Sequence, residues 1–154
     1  MSKYIPKTER LYQKSKPIDH LSVTEGISLM IKEQKRASLE VLKASETIEY
    51  VINAIYKHLV SNAKGRLIYV GAGTSARIGV QDGVELFPTF NWPIERVEFI
   101  IAGDFPALLK AIENAEDNTD MATKTVSEKL ISKDDVVIGL AASGNTPFTC
   151  KALQ

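Results

Sequence analysis

The sequence is short of the residues that would announce several common chemistries. Among 154 residues there are one cysteine and two histidines. Cys150 therefore has no partner for an internal disulfide, and neither it nor His20 and His58 falls in a metal-ligand spacing. No structural metal is expected. An excess of one charge is also missing, since nineteen Lys and Arg balance nineteen Asp and Glu. That balance argues against broad electrostatic binding to nucleic acid or to an anionic membrane. No apolar run approaches the ~20 residues of a membrane span. The opening Met1-Ser2-Lys3-Tyr4-Ile5-Pro6 lacks the apolar core of a secretory signal, and a cytoplasmic location is expected. What is present is ordinary: 44% apolar and 25% charged residues, the composition of one folded globular domain.

Residues 1–21 carry Lys3, Lys7, Arg10, Lys14 and Lys16, interrupted by Pro6 and Pro17. They read as an extended arm, either a solvated tail or a segment that docks on a neighbouring subunit. Ser22-Val23-Thr24-Glu25 has the form of a capping box and should open a helix. Ile27, Met30, Ile31, Val41 and Leu42 give it an apolar stripe. A second stripe, Ile48, Val51, Ile52, Ile55 and Leu59, is spaced at threes and fours, so residues 22–62 form two helices or one with a bend near Ala44 and Ser45. The helix should stop at Asn62-Ala63-Lys64-Gly65, where Gly65 can take a left-handed conformation.

From residue 63 to 154 the texture changes. Three short apolar runs, 67–70, 97–101 and 136–140, suit strands covered on both faces. Helix-like segments at 75–85, 105–116 and about 120–130 separate them, and strand alternating with helix means an α/β fold with a parallel sheet.

Ligands of such sheets bind beyond the carboxyl ends of the strands. The first strand delivers Gly71-Ala72-Gly73-Thr74-Ser75-Ala76-Arg77 and the third Ala141-Ala142-Ser143-Gly144-Asn145-Thr146-Pro147. Each offers glycines, hydroxyls and a helix mouth, whose free amides and positive dipole end suit an anion. Thr146 is placed as an N-cap, with Pro147 at the first helical position. Ordinary strand-to-helix turns use the same residue types; finding two in one sheet favours phosphate. A dinucleotide fits less well. Gly71, Gly73 and Ala76 satisfy the glycine fingerprint, but no acid stands at the end of the second strand, Asp104 lying too far along and Glu95 at the wrong end. A P-loop is excluded because no lysine follows the glycines at the needed spacing.

Gly71-Ala72-Gly73-Thr74-Ser75, Glu85 with Pro88-Thr89, Ile101-Ala102-Gly103, Ala115-Glu116-Asp117 and Ala141-Ala142-Ser143-Gly144 stand in the order found in N-acetylmuramic acid 6-phosphate etherases. The chain resembles that family, a member of the SIS (sugar isomerase) fold group, along essentially its whole length. The resemblance implies N-terminal helices followed by a three-layer parallel-sheet SIS domain, here incomplete, and a homodimer through the N-terminal helices. It also implies a lyase that uses no metal or redox cofactor and converts the substrate to N-acetylglucosamine 6-phosphate and D-lactate. In the open-chain sugar the C1 aldehyde acidifies the C2 proton. A base removes it, lactate leaves C3 with a proton from an acid, and water adds back. By similarity Glu85 is the acid and Glu116 the base, and both are expected on one side of the sheet. Gly73, Thr74, Ser75, Ser143, Gly144, Asn145 and Thr146 are implied to hold the phosphate and substrate. Arg77 either adds charge there, faces solvent or pairs with a carboxylate such as Asp82.

Ala76 replaces a glycine of the family, Val84, Leu86 and Phe87 replace smaller or more polar neighbours of Glu85, and Asn145 replaces an arginine. Etherases are about twice as long, with a five-stranded sheet. The expectation is thus a truncated chain, weakly active or inactive alone, whose third strand lacks a neighbour. The alternative is a non-catalytic sugar-phosphate-binding SIS regulator.

Overall fold

A computed structural model describes residues 16–154. The first fifteen residues of the expected arm lie outside the described residues, and Ile18–His20 form one 3-10 turn. The chain divides into a first compact unit ending at Tyr56 and a second, Lys57–Gln154.

In the first unit, α1 (Val23–Lys43) begins at the expected capping box. The Glu25 amide donates to Ser22 Oγ (3.3 Å), and the Ser22 amide donates to Glu25 Oε2 (2.9 Å). These bonds satisfy two helix-end donors; the Ser22 hydroxyl, which donates to Glu25 Oε2 (2.7 Å), and then the Ser22 amide draw the Glu25 carboxyl below its ordinary pKa. Helix α1 stops at Lys43, and α2 (Ser45–Ser61) follows directly, with the break at Ala44. No residue of α1 is buried; Met30 is 59% and Ile31 64% exposed.

The second unit opens with the last turn of α2. Its terminal carbonyls, those of Leu59 and Asn62, accept from Arg96 Nη2 (3.0 and 3.1 Å), while Arg96 lies over the Trp92 ring (4.4 Å). Gly65 is not left-handed as expected. Its glycine is required by space, because a Cβ there would collide with the Asp134 carbonyl oxygen. The unit continues as β1 (Leu67–Gly71), α3 (Gly73–Val84), α4 (Leu86–Phe90), β2 (Val97–Ile101), α5 (Pro106–Leu109), α6 (Thr119–Glu128), β3 (Val136–Leu140) and α7 (Pro147–Ala152).

The strands are parallel in the order β2-β1-β3, with Gly71 level with Ile101 on one side and Leu140 on the other. Helix α3 covers one face. Tyr69 stacks on Phe99 there (centroids 5.8 Å apart), and Tyr69 Oη donates to Asp82 Oδ2 (2.8 Å). Burial, helped by that bond, pushes the Tyr69 hydroxyl up from its usual pKa. Gly83 lets the helix approach, since a Cβ would lie 2.6 Å from the Phe99 ring. On the other face Ile68, Val70, Ile100 and Ala102 pack against Ala122 of α6 and Phe148 of α7. Phe148, Ile68, Ile100 and Val70 are fully buried, each stabilising by roughly 1.5–3 kcal/mol. The result is an α/β/α sandwich around three strands.

Two expectations fail here. Strand β3 lies at an edge without a further neighbour, as expected, but β2 and β3, the two edge strands, are only partly covered, and Gly139 is exposed. The helix expected over 105–116 is a single turn, α5. Lys110 is extended, Asn114 is left-handed (φ 58°), and Glu116 sits in a 3-10 turn, Ala115–Asp117.

Candidate functional site

Strand β1 leads to β2 on one side, and β3 returns on the other, so the chain reverses direction across the sheet between β1 and β3. The carboxyl ends of two such strands splay the following loops apart and leave a crevice. The loops that open it are the two glycine- and hydroxyl-bearing segments singled out from the sequence. Their strands are adjacent: a Cβ on Gly71 would lie 3.1 Å from the Leu140 carbonyl oxygen.

After β1 the chain turns through Ala72, the N-cap of α3, and through Gly73 at φ +54°. The Ala76 amide donates to the Ala72 carbonyl (3.2 Å), so the amides of Thr74 and Ser75 precede the first closed turn and have no intrahelical acceptor. After β3, the Gly144 amide donates to Ala141 O (3.3 Å) and the Asn145 amide donates to Ser143 Oγ (3.1 Å). Gly144 stands at φ +69°. Both left-handed glycines face open space, and a Cβ added at either would meet no atom within 4 Å; conformation, not crowding, requires them. Thr146 occupies the N-cap of α7 with Pro147 following, but its hydroxyl accepts no capping bond. Among the described residues the hydroxyls of Thr74, Ser75 and Thr146 make no hydrogen bond, and Thr74 and Asn145 are exposed. The mouth is therefore lined by unspent donors.

Register at the base of the crevice is held from the opposite edge. Arg66 and Asp135, which precede β1 and β3, form a two-pronged pair: Arg66 Nε and Nη2 donate to Asp135 Oδ1 (3.1 Å) and Oδ2 (2.8 Å). The Arg66 and Ser132 amides donate to the same carboxylate (2.8 and 2.9 Å). These bonds hold the Asp135 carboxyl well below the usual carboxylate range and raise the Arg66 pKa.

The two candidate acids are separated. The turn bearing Glu116 lies beyond the carboxyl end of β2; its neighbour Ala115 packs on the core, and the turn touches α7. Glu116 is exposed at the same edge as the two loops. Glu85 is the C-cap of α3. Ten residues separate it from Ser75, about 15 Å at 1.5 Å per residue, and α3 runs back along the strands toward their amino ends. Along α3 the chain thus carries Glu85 away from the loop that bears Ser75.

Arg77 does not pair with Asp82. Its Nε donates to Ala107 O (3.0 Å) and its Nη2 to Lys110 O (3.2 Å), while Asp82 accepts from Tyr69. Partners thirty residues away on the main chain leave no signal in a sequence. A groove of about 350 Å³ in the first unit, lined by residues such as Leu21, Ser28 and Lys32, contains none of the candidate residues. Among the described residues no helix is long and apolar enough to cross a membrane.

Residues 50–154 match the family model described as the glucokinase regulatory protein N-terminal SIS domain. The chain is 39% identical over 147 residues to N-acetylmuramic acid 6-phosphate etherase 2 of Enterococcus faecalis, a match covering 96% of this chain and 49% of the relative. It is 41% identical over 150 residues to the N-acetylmuramic acid 6-phosphate etherase of Geobacillus thermodenitrificans, with the same two coverages. A Bacillus cereus protein of that name is 39% identical over 147 residues. The chain spans about half the length of the curated relatives it matches.

Proposed function

The chain belongs to the SIS-domain family, and from that premise we propose that its β1–β3 crevice binds the phosphate of an amino sugar 6-phosphate in N-acetylmuramic acid 6-phosphate etherase chemistry. One observation carries the reading: Gly73 and Gly144, both left-handed with open space above them, shape two loops that spring from adjacent strands. Such loops present amides and hydroxyls to an anion without a cationic side chain. Ser75, Ser143 and Thr146 donate to the phosphate oxygens. Gly73, Thr74, Gly144 and Asn145 complete the cradle.

With the phosphate anchored, Glu116 is the base that takes the C2 proton. The aldehyde at C1 accepts the resulting charge, lactate departs from C3 with a proton from an acid, and water adds to the unsaturated aldehyde. Glu85 is that acid; because α3 carries it away from its own crevice, the reading is supported best by a cytoplasmic homodimer in which the partner subunit's Glu85 serves the site. The bare apolar stripe of α1, with Ile27, Met30, Ile31, Val41 and Leu42 all exposed, supports dimerisation through the N-terminal helices.

The separation of Glu85 from the crevice also favours a second reading, a sugar-phosphate-binding regulator without catalysis. Solvent deuterium exchange at C2 of N-acetylglucosamine 6-phosphate separates the two. An etherase exchanges this proton and loses the exchange in Glu116→Gln with affinity retained, whereas a regulator binds without exchange. A chain that binds no sugar phosphate contradicts both.

A further inference from the structure

We propose that Arg77 is a positioning residue that clasps the phosphate cradle to the segment carrying Glu116; the inference rests on the function proposed above. Arg77 lies two residues beyond Ser75, in the opening turns of α3. An arginine so close to an anion cradle would ordinarily serve as its counter-charge, but this one is committed elsewhere. Its Nε–H and one Nη2–H are spent on the carbonyls of Ala107 and Lys110. These belong to the end of α5, a single turn whose last carbonyls have no helical partner. The guanidinium fork therefore caps α5 from another element, and because the donor is charged each bond is stronger than a neutral one.

The clasped segment is not otherwise regular. Between α5 and α6 the chain runs through extended Lys110 and left-handed Asn114 into the turn at Glu116. Packing holds part of it: Ile112 lies over Gly103, where a Cβ would come within 3.1 Å of the isoleucine side chain, Ala115 packs on the core, and the turn at Glu116 touches α7. Arg77 adds the hydrogen-bonded anchor that refers the segment to the helix bearing Ser75. Phosphate position is set by the start of α3 and carboxylate position by the 107–117 segment, so this clasp fixes the distance between the bound phosphate and the base. A proton transfer that tolerates errors of well under an ångström depends on it, whereas phosphate binding does not.

Arg77→Met and Arg77→Lys test this in the full chain. Lysine supplies a point charge that satisfies one carbonyl without the fork; methionine supplies neither. Three results are expected. Amide hydrogen exchange in peptides spanning 107–117 accelerates more than tenfold in Arg77→Met, with β1 and β3 unchanged. Affinity for N-acetylglucosamine 6-phosphate stays within threefold of the parent. Deuterium incorporation at C2 falls more than tenfold in Arg77→Met and less in Arg77→Lys. Unchanged amide exchange over 107–117 overturns the clasp. An affinity that falls as far as the C2 exchange assigns Arg77 to the phosphate instead and also overturns the proposal. Failure of the parent chain to bind the sugar phosphate is a different failure, that of the proposed function, and the amide-exchange arm then decides the clasp by itself.

Discussion

Replacing Asp135 with asparagine should unseat the pairing that brings the two candidate loops together. The Asp135 side chain is 3% exposed and Arg66 23%, and the carboxylate accepts from four donors, two on the guanidinium and two on main-chain amides. Asparagine keeps one carbonyl oxygen and turns an NH2 toward donors, so at least two of these bonds are lost and a guanidinium is left half-paired. Breaking a buried pair from one side costs about 3 kcal/mol, which for a chain of this size lowers the melting temperature by roughly 10 °C. The effect has a defined pH signature. The folded pKa of Asp135 is depressed, so its stabilisation is complete above the unfolded value of about 3.9 and is lost as pH falls through the folded pKa. Thermal melts of parent and Asp135→Asn should differ by a constant amount between pH 6 and 8, and the gap should narrow progressively below about pH 4. A difference under 1 kcal/mol at pH 7, or a gap that stays constant in acid, would refute this role for the pair.

Three glycines and one cap give sharper contrasts. Gly65→Ala drives a methyl into the Asp134 carbonyl and should cost about 3 kcal/mol, the upper end of overpacking. Gly73→Ala and Gly144→Ala meet nothing within 4 Å and should cost only the left-handed backbone penalty, about 1–2 kcal/mol each; denaturant melts in which all three cost the same would contradict the distinction. Ser22→Ala removes the α1 capping box and should cost about 1 kcal/mol, seen as lost helical circular dichroism with the sheet unit's melt unchanged. A melt of that unit shifted equally would show that the cap acts beyond its own helix.

Much of the architecture is legible in residue order, and the misses have physical causes. The strands stand out because Leu67-Ile68-Tyr69-Val70 and its two counterparts are short, nearly continuous apolar runs, each preceded by a charged residue (Arg66, Arg96, Asp135) and followed by glycine or alanine (Gly71, Ala102, Ala141). The α1 start is announced by Ser22 and Glu25, whose capping interaction is local. The segment after β2 misleads because Leu108, Leu109 and Ile112 carry helical spacing. Yet Leu109 is 82% exposed and Ile112 folds over Gly103, so tertiary contact overrides the pattern. Gly65 looks like a helix stop but answers to Asp134, sixty-nine residues on. Of the candidate site, the two loops are visible as motifs, and their adjacency follows once the strand order is known. The separation of Glu85 is less visible, although the length of α3 already contains it. Arg77 and Arg66 are opaque, since one is satisfied by distant carbonyls and the other by a distant carboxylate.

The most direct test of the shared phosphate cradle is calorimetric titration of the chain with N-acetylglucosamine 6-phosphate, comparing Ser75→Ala, Ser143→Ala and the double variant. A hydroxyl that donates to a charged group contributes about 1.5–3 kcal/mol, so each single change should weaken binding at least tenfold. Ser143→Ala should weaken it more, because its oxygen also accepts the Asn145 amide that shapes the loop. Both hydroxyls serve one phosphate, so the double variant should lose less than the sum of the singles. Losses that add independently, or single variants that bind as tightly as the parent, would mean that the two loops do not meet on one anion.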